Sequence, residues 1–268
     1  MNLKKDKIIK ENSFFNEKVY FDKKRELIFT YIKKNKDLTP FYEDKYYKSF
    51  YRHNFLKKSF NLIFEKLNIL DNQYVSDISK IKEFSPNIKN KKILEIGCGQ
   101  GKLVKNFHMK NINISAIELD KKNVKEINSV VKKKVVKNIN IENEKIEEKY
   151  DIIILRHVLE HFKNPVQVLK KIKKNLSQDG IIYINVPYCE NKKVLHESIM
   201  NHPHIFHFSK KSLRNLIEES DLKIIYLNCF GLITRNIFKL FFYRLFNKNN
   251  YINRGKKSEH LVAIIKNE

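Results

Sequence analysis

Tryptophan is absent from the 268 residues, and cysteine, proline and glycine occur only three, five and six times. Cys98, Cys189 and Cys229 are odd in number and far apart, which excludes a disulfide framework and a zinc site built from cysteine alone. A reducing, cytoplasmic location is the simplest expectation. The start, Met1-Asn2-Leu3-Lys4-Lys5-Asp6, runs into mixed charge without a following apolar stretch, so no secretory leader is expected. No uninterrupted apolar run reaches the roughly 18 residues that would span a bilayer. Acid is scarce as well: 54 Lys and Arg face 30 Asp and Glu, a net charge of +24.

That charge invites a polynucleotide partner. Lysine, however, greatly outnumbers arginine, and Asn and Ile are abundant, as a genome poor in G and C would produce. Arginine is the better phosphate binder because its planar fork donates bidentately. Nucleic acid is therefore not the favoured partner, whereas an anionic small molecule suits the charge equally well. With 42% hydrophobic and 31% charged residues, the chain is long enough to bury one α/β core with an appendage.

Residues 91–104, KKILEIGCGQGKLV, are the organising stretch. An apolar run ends in Gly97, Gly99 and Gly101 at alternate positions, and Lys102-Leu103-Val104 then opens a helical pattern. This predicts a buried strand, a tight glycine turn and a helix start, a turn that admits close approach by a nucleotide-like ligand. The third glycine falls one residue too early for the dinucleotide fingerprint, and the Gly-Lys-Ser/Thr ending of a P-loop is missing. A second apolar run, 114–117, ends in Glu118-Leu119-Asp120; a third strand is expected at 135–141, a fourth at 149–155, and a fifth at 180–187.

The form Glu95-x-Gly97-x-Gly99-x-Gly101, followed by these strands in order and by Arg156-His157-Val158-Leu159-Glu160-His161-Phe162, resembles class I S-adenosylmethionine-dependent methyltransferases over about residues 91–190. The resemblance implies an α/β, Rossmann-like, doubly wound seven-stranded sheet whose last strand is antiparallel and lies between the fifth and sixth. It implies S-adenosylmethionine as cofactor, becoming S-adenosylhomocysteine, with Glu95, Gly97, Cys98, Gly99 and Gly101 around its methionine part. Glu118, with Leu119 beside it, would hold the ribose, and Arg156 would border the site. The family's adenine-contacting acid is replaced here by Asn140-Ile141-Glu142, all three of which are candidates.

Residues 1–90 are expected to form a helical cap, from the spacing Leu27-Ile28-x-x-Tyr31-Ile32 and a similar pattern over 55–67. The aromatic stretch between them offers Tyr46, Tyr47, Tyr51 and Arg52 as substrate-side candidates, or as packing of the cap. The methyltransferase domain would occupy 91–268, with a His-rich loop at 188–209 and a helix at 210–219 capped by Ser209. A sixth strand is expected at 222–230, a lid inserted at 231–257, and a seventh strand at 261–265. The aromatic segment 232–246 suits a lid or a dimer contact better than a membrane-surface helix, because its basic residues do not gather on one face. The oligomeric state is left open.

Methyl transfer to a hydroxyl requires a proton acceptor, and histidine serves near neutral pH. Six of nine histidines fall between positions 157 and 207. His157 or His204 is the expected base, with Arg156 orienting an anionic acceptor and His202 on the substrate side. His157, Glu160 and His161 share a face on a helical turn and, with His204, could also hold a divalent metal. They resemble, with His157 in place of a Glu, the Glu-x-x-Glu-His arrangement of metal-dependent quinone O-methyltransferases and of RNA 3′-terminal 2′-O-methyltransferases. A metal is not the favoured reading, and a histidine at that position points to a softer ion than magnesium.

By overall look the chain resembles small-molecule enzymes of bacterial surface-glycan and natural-product pathways. The expected reaction is thus O-methylation of a sugar, or of a phosphoryl or phosphoramidate group, in capsule or other surface-polysaccharide biosynthesis. The alternatives are metal-dependent RNA 2′-O-methylation and a non-catalytic, cofactor-binding regulator.

Overall fold

A computed structural model describes residues 8–12, 15–33, 36–38, 42, 70–234, 236–246, 249 and 251–267. Tyr46, Tyr47, Tyr51 and Arg52, and the helical pattern over 55–67, lie outside them. By internal contacts the chain forms two compact units: one of residues 1–36, 141–231 and 253–268, the other of 37–140 and 232–252.

The N-terminal segment departs from the helical expectation. Strands β1 (Ile8–Asn12), β2 (Glu17–Asp22) and β3 (Leu27–Thr30) form an antiparallel meander. Asp22 explains the turn: its Oδ1 accepts from the backbone N–H of Lys24 (2.9 Å) and Arg25 (3.1 Å), an Asx turn that reverses the chain before Leu27. Ile28, Phe29 and Thr30 then pair across to β2, where branched and aromatic residues suit a pleated surface. Tertiary pairing thereby overrides the helical spacing at 27–32.

All seven strands expected from the sequence are present: β4 (Ile93–Ile96), β5 (Ile114–Glu118), β6 (Val136–Asn138), β7 (Tyr150–Arg156), β8 (Leu176–Pro187), β10 (Lys223–Leu232) and β12 (His260–Lys266). Between β8 and β10 a two-residue strand, β9 (Phe206–His207), joins β3 in the N-terminal sheet, which runs β1-β2-β3-β9. An eighth strand, β11 (Tyr251–Ile252), falls in the second unit; the strand order is β10-β12-β8-β7 in the first unit and β4-β5-β6 in the second. β12 pairs antiparallel with both β8 and β10, as the resemblance implied.

The α-helices among the described residues are α1 (Asn72–Phe84), α2 (Lys102–Met109), α3 (Lys121–Val131), α4 (Pro165–Lys173), α5 (Lys192–Met200), α6 (Lys210–Glu218) and α7 (Ile237–Leu245). In the first unit, Ile152–Leu155 in β7, the apolar run of β8 and 261–265 in β12 are buried almost without interruption, as strands covered on both faces must be. In the second, Leu103, Val104 and Phe107 of α2 and Ile127 of α3 are buried along with the apolar residues of β4 and β5. The stretch at 188–209 is not the expected loop throughout, since α5 occupies its middle with Asn191 as N-cap, its Oδ1 accepting from Lys193 N at 3.1 Å. Among the described residues no helix is long and apolar enough to cross a membrane.

Candidate functional site

In the second unit the glycine loop follows β4 as the sequence predicts. Gly97 donates to the Ile117 carbonyl at 2.9 Å, and Gly101 closes the turn on the Cys98 carbonyl at 2.9 Å. Gly97, Gly99 and Gly101 have φ of 68°, 56° and 68°, a region that glycine enters without a Cβ clash. At Gly101 the need is also steric, because an added Cβ would sit 2.6 Å from Ile127 Cδ1. Glu118, buried at the end of β5, latches this loop: one carboxylate oxygen accepts from Gly99 N at 2.7 Å, the other from Leu119 N (2.7 Å) and Asp120 N (3.1 Å). Burial raises its carboxyl above the usual range, and the three N–H donors oppose that shift. Asn138 ties the end of β6 to this corner through the Glu118 and Leu119 carbonyls, at 2.9 and 2.7 Å.

Glu95 and Cys98 are both buried here, and desolvation beside Glu95 and Glu118 pushes the Cys98 thiol well up, so it is a packed neutral group. Asp120 caps α3, accepting from Asn123 N at 2.7 Å, as expected. Asn140 is half-buried in this unit, whereas Ile141 is buried in the other. Glu142 is already engaged: its Oε1 accepts from Lys163 N (2.9 Å) and Asn164 N (3.2 Å) just before α4, which makes it a brace there.

In the first unit, β7 ends at half-buried Arg156, which lies opposite Asn185 of β8. His157 follows with φ of 51°, an unusual conformation for a residue with a Cβ, held by its N–H to the Asn185 carbonyl at 2.8 Å. A single 3₁₀ turn, Leu159–His161, then buries Glu160 completely. Among the described residues neither Glu160 oxygen has a hydrogen-bond partner; its neighbours are His157 Nδ1 at 3.5 Å and His204 Nε2 at 3.8 Å. Burial raises this carboxyl, and nearby His161 opposes the shift.

The chain between α5 and β9 delivers His204 to the turn. Ile205 N donates to the Glu160 carbonyl at 2.9 Å, and His161 Nδ1 lies 3.0 Å from the Pro203 carbonyl. A carbonyl only accepts, so His161 Nδ1 carries the proton and Nε2 is left with a lone pair in the neutral ring. Burial holds His161 and His204 below the usual histidine range. Glu160, His161 and His204 each offer a ligand atom, all within 4.8 Å of one another. Half-buried His202 stacks on His204 at 4.9 Å between ring centroids, while His196 is exposed on α5.

This cluster brings together His157, Glu160, His161, His202 and His204 as the sequence suggested. It also contains partners that the sequence did not single out. Ser198 on α5 lies 2.7 Å from His204 Nδ1 and 2.8 Å from His207 Nδ1, and Thr30 of β3 lies 3.2 Å from His207 Nε2. Only a helix register running through a segment that reads as a loop places Ser198 there.

Residues 71–227, more than half of the chain, match a family described as a methyltransferase domain. The chain belongs to the class I S-adenosylmethionine-dependent methyltransferases. Among curated proteins it is similar to ubiquinone biosynthesis O-methyltransferases of Rickettsia bellii, 28% identical over 128 residues (46% of this chain, 52% of the relative), and of Rickettsia prowazekii, 29% identical over 142 residues (50% and 54%). The chain thus spans about half the length of the curated relatives it matches. In fold it is similar to a SAM-dependent methyltransferase from Archaeoglobus fulgidus, with a TM-score of 0.54 at 16% identity over 77% of this chain and 99% of that one.

Proposed function

We propose that this methyltransferase moves a methyl group from S-adenosylmethionine to a hydroxyl of a small molecule. The observation that carries this reading is the enclosed group of proton acceptors after β7: Glu160, His161 and His204 facing one another, with His157 at their edge. The curated relatives' names, as O-methyltransferases, support a hydroxyl acceptor. The cofactor supplies a methyl already activated on sulfonium sulfur. The chain must hold the acceptor oxygen in line with it and remove the hydroxyl proton as the C–O bond forms and the C–S bond breaks. His157 is the assigned base, being half-buried and 3.5 Å from the carboxylate that would stabilise its imidazolium. Arg156 orients the acceptor and Glu118 receives the ribose hydroxyls.

Glu160, His161 and His204 also fit a divalent metal. A buried carboxylate that accepts no hydrogen bond among the described residues, beside two neutral imidazoles, offers a compact set of lone pairs of the kind a borderline cation takes. Two nitrogens and one oxygen suit zinc or a similar borderline ion over magnesium. Such an ion would lower the pKa of an acceptor hydroxyl. The basic charge favours an anionic acceptor, so a sugar or phosphoryl compound of surface-glycan biosynthesis is the second reading, alongside a hydroxylated intermediate of ubiquinone biosynthesis, the pathway that the relatives' names give.

The test is methyl transfer by the purified full chain from labelled cofactor to a panel comprising a catechol, a nucleotide sugar, a sugar phosphate and a short RNA, with and without EDTA. Transfer to a small hydroxyl, at least 100-fold reduced in His157→Ala, is the expected result. Methylation of RNA alone, or cofactor binding with no transfer to any of the four, would overturn it in favour of the RNA enzyme or the regulator.

A further inference from the structure

We infer that Ser198 and His207, braced by Thr30 from the N-terminal meander, are positioning residues: they fix His204 as the Nδ1–H tautomer and so turn its Nε2 lone pair toward Glu160 and His161. The inference deepens the proposed function and rests on His204 serving that cluster.

Each hydroxyl and each neutral ring in this relay has one proton to place, and at the Thr30 end its direction is fixed. Thr30 Oγ1 lies 3.1 Å from the His204 carbonyl, which can only accept, so the hydroxyl proton of Thr30 is committed there. Thr30 Oγ1 must then accept from its other two partners, Asn12 Nδ2 at 3.4 Å and His207 Nε2 at 3.2 Å. His207 Nε2 therefore carries a proton. His207 is almost fully enclosed, and burial keeps its ring neutral.

A neutral ring protonated at Nε2 has a bare Nδ1, which can only accept. Its partner is Ser198 Oγ at 2.8 Å, so the Ser198 proton points to His207. Having spent its proton, Ser198 Oγ accepts from His204 Nδ1 at 2.7 Å, and His204 is the Nδ1–H tautomer. Cys189 is a further neighbour of Ser198, but its sulfur is a weaker acceptor than the imidazole nitrogen 2.8 Å away, and its own S–H is directed to the Pro187 carbonyl at 3.7 Å, so the Ser198 proton stays with His207.

Every group in the chain is buried: Asn12, Thr30, Ser198, His204 and His207 are each at most 6% exposed. Water cannot substitute for a lost link, so the order of protons is set by the protein. His161 reaches the same state independently through the Pro203 carbonyl. Both rings thus present Nε2 lone pairs to a carboxylate that lacks a donor, an arrangement a cation completes. Such hydrogen bonds to the far nitrogen of a ligating histidine are known to orient the ring and raise its basicity.

The experiment is a long-range 1H–15N spectrum of the full chain labelled with 15N-histidine, assigned with His204→Gln and His207→Gln. It is joined to Co2+ titrations of the wild type, Ser198→Ala and Ser198→Thr, with cofactor-product binding as the check on folding. The expected spectrum has His204 protonated at Nδ1 and His207 at Nε2. Expected Co2+ affinity falls roughly 10- to 100-fold in Ser198→Ala and returns to within a few-fold in Ser198→Thr. His204 protonated at Nε2 in the wild type would overturn the inference without need of any variant, as would unchanged tautomer and affinity in a folded Ser198→Ala. Expected tautomers in a wild type that binds no Co2+ would uphold the relay and sink only the metal part of the proposed function.

Discussion

At the scale of single residues, Glu160 and Gly101 carry opposite demands. Glu160 is a carboxylate with no donor to stabilise its charge, held at full burial between neutral rings. Glu160→Gln removes the charge while keeping the shape, so the metal-free protein should gain stability, on the order of 1–2 kcal/mol, while methyl transfer falls by two orders of magnitude or more. Thermal melting in EDTA together with turnover reads both; a variant less stable and fully active would contradict the assignment. Gly101 is constrained from two sides, by its φ of 68° and by Ile127. Gly101→Ala should lose roughly 2–4 kcal/mol, from left-handed strain and overpacking together. In Gly101→Ala combined with Ile127→Ala the packing part should be relieved and the backbone part should remain, which a double-mutant melt would separate.

At the scale of elements, α6 shows what can be read directly. Ser209 was expected as its cap, and its Oγ accepts from Ser212 N at 3.0 Å while Ser212 Oγ accepts from Ser209 N at 2.9 Å. Ser209→Ala should cost about 1 kcal/mol by denaturant unfolding. The glycine turn, the acid after β5 and the strand order were legible for a similar reason: each is written in a few adjacent residues whose side chains or missing Cβ dictate local backbone. The meander over 8–30 was not legible, because the spacing at 27–32 suits a helix until β2 is there to pair with. Nor was the relay behind His204. Its members lie at positions 12, 30, 198, 204 and 207, and no local pattern links a threonine on β3 to a serine on α5. The meander's grip is reinforced at its turn, where Arg25 donates bidentately to Glu219 after α6 at 2.9 and 2.8 Å.

At the scale of the molecule, buried neutral histidine couples folding to acidity. Burial pulls the folded-state pKa of His207 from 6.5 down to about 3. Between those values the unfolded chain takes up a proton at this ring and the folded chain does not. The contribution is therefore whole above pH 6.5 and is lost on acidification by about 1.4 kcal/mol per pH unit until about pH 3. Urea unfolding at pH 7 and pH 5 should show that slope, reduced by about this amount in a folded His207→Gln. The charge of +24 acts separately: association with polyanions should fall steeply between 0.1 and 0.5 M salt, without a matching change in methyl transfer to an uncharged acceptor.

The three thiols are all buried, Cys98 in one compact unit and Cys189 and Cys229 in the other, and for Cys189 burial pushes the pKa up to about 12. None can meet a modifying reagent from the folded state, so each must wait for its own neighbourhood to open. The chain thus carries a stopwatch in each unit. The labelling rate of Cys98 times the opening of the glycine loop and should slow on addition of S-adenosylhomocysteine, while the rates at Cys189 and Cys229 time the other unit.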